Sequence, residues 1–150
     1  MIEKLLKEDV ILVNENISTW EEAIIKSGNL LLEDGKINEK YIDSMINTVK
    51  KMGPYIVLAK GVAMPHGRPE EGVLDVGLSV VTLKNDIEFG NEDFDPVKII
   101  IAVCATDGKK HLELLQDLSY LLDNENLVEE VSKCKTKGEL LSLLIKLYKE

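Results

Sequence analysis

The chain has 150 residues, 45% of them hydrophobic, enough for one globular domain whose core needs no crosslinks. Its formal charge of −9 lacks the basic footprint that nonspecific nucleic-acid binding needs, and it equally disfavours an anionic membrane surface. Cys104 and Cys134 sit in apolar or amphipathic surroundings without CxxC spacing, so both read as unpaired thiols of a reducing compartment.

Glu3, Lys4, Lys7, Glu8 and Asp9 interrupt the N-terminal segment, which therefore lacks the apolar region of a signal peptide. The longest unbroken apolar run, Ile99 to Ala105, is too short to span a bilayer. A soluble, cytoplasmic protein is the expectation.

In chain order, residues 2–7 predict a short amphipathic helix or turn, and Val10 to Val13 a brief strand. Ser18 with Glu21 predicts a capping box that opens a helix, with Trp20, Ala23 and Ile24 inward and Gly28 at its end. Leu30 to Leu32 follow, and Asp34-Gly35 predicts a turn. Asn38 caps the next helix, whose inward positions are Tyr41, Met45, Val49 and Met52, and Gly53-Pro54 stops it. The period then changes. Tyr55–Ala59, Val76–Leu83 and Val97–Ala105 are short and rich in β-branched residues, and the third is apolar enough for a strand covered on both faces.

Between the second and third runs lies an acidic loop or hairpin with turn signals at Gly90 and Asp95-Pro96. The last third predicts three helices. One spans Lys109–Leu122 with a Leu112, Leu115, Leu118, Leu122 stripe, one starts near Asn124 or Glu125, and one is capped by Thr136 with Glu139. Helices, then strands, then helices, with no linker, predict a single α/β domain over residues 1–150: a mixed sheet flanked by helices on both faces.

The chemistry concentrates in Gly53 to Gly72. This stretch holds one of the two histidines, His66, and the chain's one arginine, Arg68. An extended apolar run delivers His66 into a loop where Pro65 and Pro69 restrict the backbone and Gly67 permits angles closed to other residues. A lone loop histidine commonly has no role, but this construction fixes where the ring points, which a nucleophile requires. A neutral imidazole offers a lone pair that can attack phosphorus. The Arg68 guanidinium has the planar fork that matches phosphate oxygens.

His111, the other histidine, heads the leucine stripe at i−4, i−7 and i−11 from Leu115, Leu118 and Leu122. It opens a helix just beyond an apolar strand, where α/β sheets usually bind anions; a core-edge structural histidine fits the same spacing. A metal site built from His66, His111, Glu70, Glu71 and Asp107 lacks any HExxH, CxxC or HxH spacing. No Walker loop, GxGxxG or GxSxG is present, so neither nucleotide binding nor serine hydrolysis is expected. Glu70, Glu71 and the acidic 86–95 segment read as solvated loops or a docking rim.

The segment Gly61-Val62-Ala63-Met64-Pro65-His66 resembles the enzyme IIA domains of the bacterial sugar phosphotransferase system, in the fructose–mannitol (type-2) superfamily. The similarity extends through the preceding helix, the following strands and a second histidine opening a leucine-rich helix. The resemblance implies that His66 is the phosphoryl acceptor and His111 the second active-site histidine. It further implies the phosphocarrier HPr as donor, a cysteine of a cognate IIB component as acceptor, a membrane IIC transporter downstream, and no cofactor or metal.

Many family members carry an arginine in the helix before the motif. Here that region is Lys50-Lys51-Met52-Gly53-Pro54-Tyr55, so the phosphate-binding cation falls to Arg68, with Lys50 as a second candidate. The run GPYIVLAKGVAMPHGRPEEGV resembles the ascorbate-type branch, with galactitol, mannitol and fructose systems behind it. A regulatory module of the same fold is the alternative function, and self-association is left open.

Overall fold

The computed structural model describes residues 1–150. Its centre is the apolar strand β5 (Val97–Cys104), which pairs antiparallel with β4 (Gly77–Ile87) and parallel with β3 (Val62–Ala63). β1 (Ile11–Glu15) adds parallel to β4, and β2 (Val57–Ala59) adds antiparallel to β3. The mixed sheet therefore runs β1-β4-β5-β3-β2.

The two-residue alternation of a strand sorts β5 into two cores. Ile100, Ala102 and Cys104 join Val81 and Leu83 of β4 beneath α2 (Trp20–Glu33) and α3 (Glu39–Met52). Ile99, Ile101 and Val103 join Leu78 and Val80 on the other face. That face is covered by α1 (Ile2–Leu5), α4 (Gly108–Leu122), α5 (Leu127–Ser132) and α6 (Lys137–Lys149). Burial on both faces is why nearly every position of β5 is apolar.

Several boundaries differ from the sequence expectation, each for a local reason. The first capping box is Thr19 with Glu22, not Ser18 with Glu21. Thr19 has extended backbone and its Oγ1 accepts the Glu22 N–H at 3.2 Å, while Glu22 reaches back to the Ser18 N–H at 3.3 Å. Gly28 does not end α2; it lies inside it. A Cβ there would stand 2.7 Å from Cγ1 of Ile42, so this glycine lets α3 approach. The helix ends instead at Asp34 and Gly35, whose φ of 74° is the left-handed stop.

β1 begins at Ile11 because Val10 closes a 3₁₀ turn. β2 starts only at Val57, since the Tyr55 and Val57 amides close turns onto Gly53 and Pro54. β4 extends past Leu83 to Ile87, which pairs with Val97 beyond an irregularity. In α4 the inward stripe is Leu114, Leu118 and Leu121, whereas Leu112 is 57% exposed. Met52, on the last turn of α3, is 73% exposed rather than inward. α5 starts at Leu127, after the side-chain Oδ1 of Asn124 accepts the Asn126 N–H at 2.9 Å.

Candidate functional site

β3 and β5 run parallel, so their C-terminal ends share one edge of the sheet. The pairing continues past β3, where the Val103 N–H donates to the Pro65 carbonyl at 3.0 Å. His66 is the next residue, so it is delivered at the end of the central ladder. β5 leaves that same edge through Ala105 and Thr106 to Asp107, which caps α4 by accepting the Lys110 N–H at 2.8 Å. His111 then falls in the first helical turn, its N–H donating to Asp107 O at 3.0 Å. The two rings, 45 residues apart in sequence, stand with centroids 5.6 Å apart.

The His66 ring is held in one orientation. Its Nδ1 lies 2.8 Å from the Met64 carbonyl oxygen. A carbonyl only accepts, so Nδ1 carries the proton and Nε2 keeps the lone pair. Met64 is itself fixed, because its N–H donates to Ile56 O at 2.7 Å. The Tyr55 ring meets His66 edge-on, with centroids 5.5 Å apart and an interplanar angle of 84°.

Gly67 plays a different part from the one its sequence suggests. Its φ lies outside the left-handed region. What demands a glycine is contact: a Cβ would sit 3.2 Å from Cε1 of Tyr41 and 3.3 Å from Oγ of Ser44.

Two recesses flank the histidines and meet at Arg68. One is lined by His66, Arg68, Tyr55, Glu71 and, from α3, Thr48, Lys51 and Met52. The other is lined by Arg68, Gly67, Pro69, Ala105, Gly108 and His111. Arg68 thus borders both histidines. Lys50 lines neither recess; at about 100° per residue, α3 brings its successor Lys51 to the site instead. His66, His111 and Arg68 are brought together, and on α3 it is Lys51 rather than Lys50 that lines the recess beside His66.

Tyr41, Tyr55, Thr48 and Lys51 were not legible as site residues. Tyr41 carried one signal: a tyrosine on a helix's inward stripe must find a partner for its hydroxyl.

Burial favours the neutral forms of His111 and Tyr55. Burial, and next the charge of His66, hold His111 below its ordinary value of 6.5. Burial, followed by the Glu71 carboxylate, pushes the Tyr55 phenol up. Cys104 is buried and its thiol is pushed up to about 12, chiefly by desolvation, so it is no nucleophile. No three His, Cys, Asp or Glu side chains converge as a metal site would require.

The His111 shift has a sign that can be checked. A histidine held neutral in the folded state contributes stability above the unfolded value of 6.5, and that contribution is lost as pH falls below it toward the folded value. In an NMR titration the His111 midpoint is expected below 6.5, rising part-way in His66→Gln, where burial remains but the neighbouring charge is gone. A midpoint that ignores His66→Gln would remove the electrostatic contact between the rings.

Residues 4–147 match the sequence profile of the family described as "Phosphoenolpyruvate-dependent sugar phosphotransferase system, EIIA 2". The chain is 37% identical over 143 residues to the ascorbate-specific PTS system EIIA component of Salmonella typhimurium, covering 95% of this chain and 93% of that one. Its fold is similar to the solution structure of the mannitol-specific cryptic phosphotransferase enzyme IIA CmtB from Escherichia coli. That match has a TM-score of 0.85 and 32% identity, and covers 97% of each chain. It is also similar to a chain in the complex of enzyme IIAMTL and phosphorylated enzyme IIBMTL from Escherichia coli. There the TM-score is 0.83, at 26% identity over 94% of this chain and 97% of that one.

Proposed function

Because this chain belongs to the EIIA type-2 family of phosphoenolpyruvate-dependent sugar phosphotransferase systems, and so is a phosphotransferase component, we propose that it carries its phosphoryl group on Nε2 of His66. The observation that carries this reading is the Nδ1–H donated to Met64 O, which leaves Nε2 free on a ring that lines the same recess as Arg68. The Nε2 lone pair attacks phosphorus, the bond from phosphorus to the donor breaks, and the phosphoryl group stays on nitrogen. Arg68 and Lys51 neutralise the charge of the transferring group, and His111 hydrogen-bonds an oxygen of the phosphoryl group once it has arrived.

The donor in this reading is HPr and the acceptor is a cysteine of a IIB component, which serves a membrane IIC transporter from the cytoplasmic side. A solved IIA–IIB complex of the same fold supports the IIB partner. No helix here is long and apolar enough to cross a membrane. The carbohydrate is L-ascorbate, supported by 37% identity to an ascorbate-specific component over nearly the whole chain.

Incubation with phosphoenolpyruvate, enzyme I and HPr is expected to give an acid-labile, base-stable adduct that passes to an ascorbate-type IIB faster than to galactitol, mannitol or fructose IIB proteins. Faster transfer to one of those others would overturn the ascorbate assignment, and transfer to none would favour a regulatory role. His111→Ala is expected to keep most of its phosphoryl uptake but pass the group on about tenfold or more slowly. Indifference in both steps would remove His111 from the site.

A further inference from the structure

Both peptide groups that flank His66 are anchored to one residue of the central strand. On the N-terminal side, the Pro65 carbonyl accepts the Val103 N–H directly at 3.0 Å. On the C-terminal side the link is indirect. The Tyr41 hydroxyl donates to the Val103 carbonyl at 2.8 Å and accepts the Gly67 N–H at 2.8 Å. The donor assignment is unambiguous, because the carbonyl cannot donate and the amide cannot accept. Tyr41 is fully buried, and burial pushes its phenol well up, so the proton that it gives to Val103 is present throughout the working pH range.

We infer that Tyr41 is a positioning residue for phosphoryl transfer: by bridging Val103 O and Gly67 N–H, it keeps the His66 ring turned with Nδ1 on Met64 O and Nε2 toward the donor. This rests on the reading of His66 as the acceptor. Three hydrogen bonds then set the ring: Val103 N–H to Pro65, Gly67 N–H to Tyr41, and His66 Nδ1–H to Met64. The sheet supplies the first, and the loop supplies the third only while the backbone between Pro65 and Gly67 stays where the first two hold it. Of the three, the bridge is the one that depends on a side chain outside the loop. Gly67 is part of the same device, because the tyrosine ring occupies the space that a Cβ would need.

The variant that isolates the bridge is Tyr41→Phe, which keeps the ring, its core packing and its contact with Gly67, and removes only the hydroxyl. Two readouts are needed: the tautomer of His66 by ¹⁵N NMR, and the rate of phosphoryl uptake from phospho-HPr. The expected result is a mixed tautomer in place of Nδ1–H alone. Uptake should slow by roughly ten- to a hundredfold, the scale of a reacting group displaced by a fraction of an ångström to an ångström, with KM for the donor unchanged. A purely structural role would lower the melting temperature and leave the tautomer and kcat of the folded fraction unaltered, and that result overturns the proposal.

Ser44→Ala is the control. Its hydroxyl is buried against the same glycine, from the same helix, and has no hydrogen-bond partner, so uptake and tautomer are expected to match wild type. An equal loss in Ser44→Ala would assign the effect to packing and overturn the bridge. Should Tyr41→Phe fail to fold, Gly67→Ala pushes the loop off the tyrosine from the other side. It is expected to mix the tautomer likewise, and an unchanged tautomer there overturns the proposal. Wild-type protein that takes up no phosphoryl group overturns the acceptor reading and this role with it. Normal wild-type uptake, together with a wild-type tautomer in Tyr41→Phe, overturns the positioning role alone.

Discussion

His66→Ala is expected to take up no phosphoryl group from phospho-HPr, a fall of at least about a thousandfold, on the scale at which a lost nucleophile registers. The loss should be nearly pure chemistry. His66 is half-buried, and the substitution removes one hydrogen bond, Nδ1–H to Met64 O, at a net cost of about 1 kcal/mol. The melting temperature should therefore shift by only a few degrees while uptake vanishes. The other nucleophiles nearby do not compensate. Cys104 is buried with a raised pKa, and His111 lies in the first turn of α4 rather than at the end of the β3 ladder. Stoichiometric label on His66→Ala, read by intact mass or radiolabel, would show that the acceptor is another residue.

The second large effect belongs to Arg68. It lines both recesses, and in the proposed mechanism it is the cation that meets the phosphoryl group. Arg68→Ala is expected to slow uptake by roughly a hundred- to a thousandfold, as removal of one preorganised donor to a developing anion does. Arg68→Lys should restore part of this, because it returns the charge without the planar fork. Lys51→Ala, a flexible point charge at the rim of one recess, should cost about tenfold. Rapid-quench measurement of the three variants separates these outcomes. Uptake by Arg68→Ala within twofold of wild type would move the phosphate site away from Arg68.

The elements that were legible in the sequence share a property: their pattern is long enough for a periodicity to dominate. β5 is apolar at nearly every position because helices cover it on both faces, and with the order helices, strands, helices that implied a flanked mixed sheet. The caps at Asn38, Asp107 and Thr136 follow from side chains that accept nearby amides. The juxtaposition of His66 and His111 follows from parallel β3 and β5, whose ends share a sheet edge; spacing alone fitted a core-edge structural histidine equally well, and the family resemblance was what pointed to the pair.

What was not legible depends on distances between elements. Gly28 looked like a helix stop because glycine's local preference is to end helices; it is there because Ile42 of α3 needs the room. Lys50 and Lys51 differ by 100° of helical rotation, and the sequence gives no reference for which one faces His66. Tyr41 was assigned correctly to the inward face, but its hydroxyl partners, Val103 and Gly67, lie 62 and 26 residues away. Leu112 fits the leucine stripe by spacing, yet the stripe's centre lies on Leu114, Leu118 and Leu121, which leaves Leu112 outside.

The anchorage of both flanks of His66 on Val103 also sets a clock. A loop tied at two peptide groups to the central strand cannot open without breaking bonds to that strand, so its opening free energy approaches that of the sheet rather than that of a surface turn. Under the proposed function two proteins meet this histidine in succession, and neither waits for the loop to find its shape. The ordering cost that a mobile loop would charge at each encounter has already been met during folding. On that reading, phosphoryl transfer is expected to need no rearrangement of the His66 loop at either encounter.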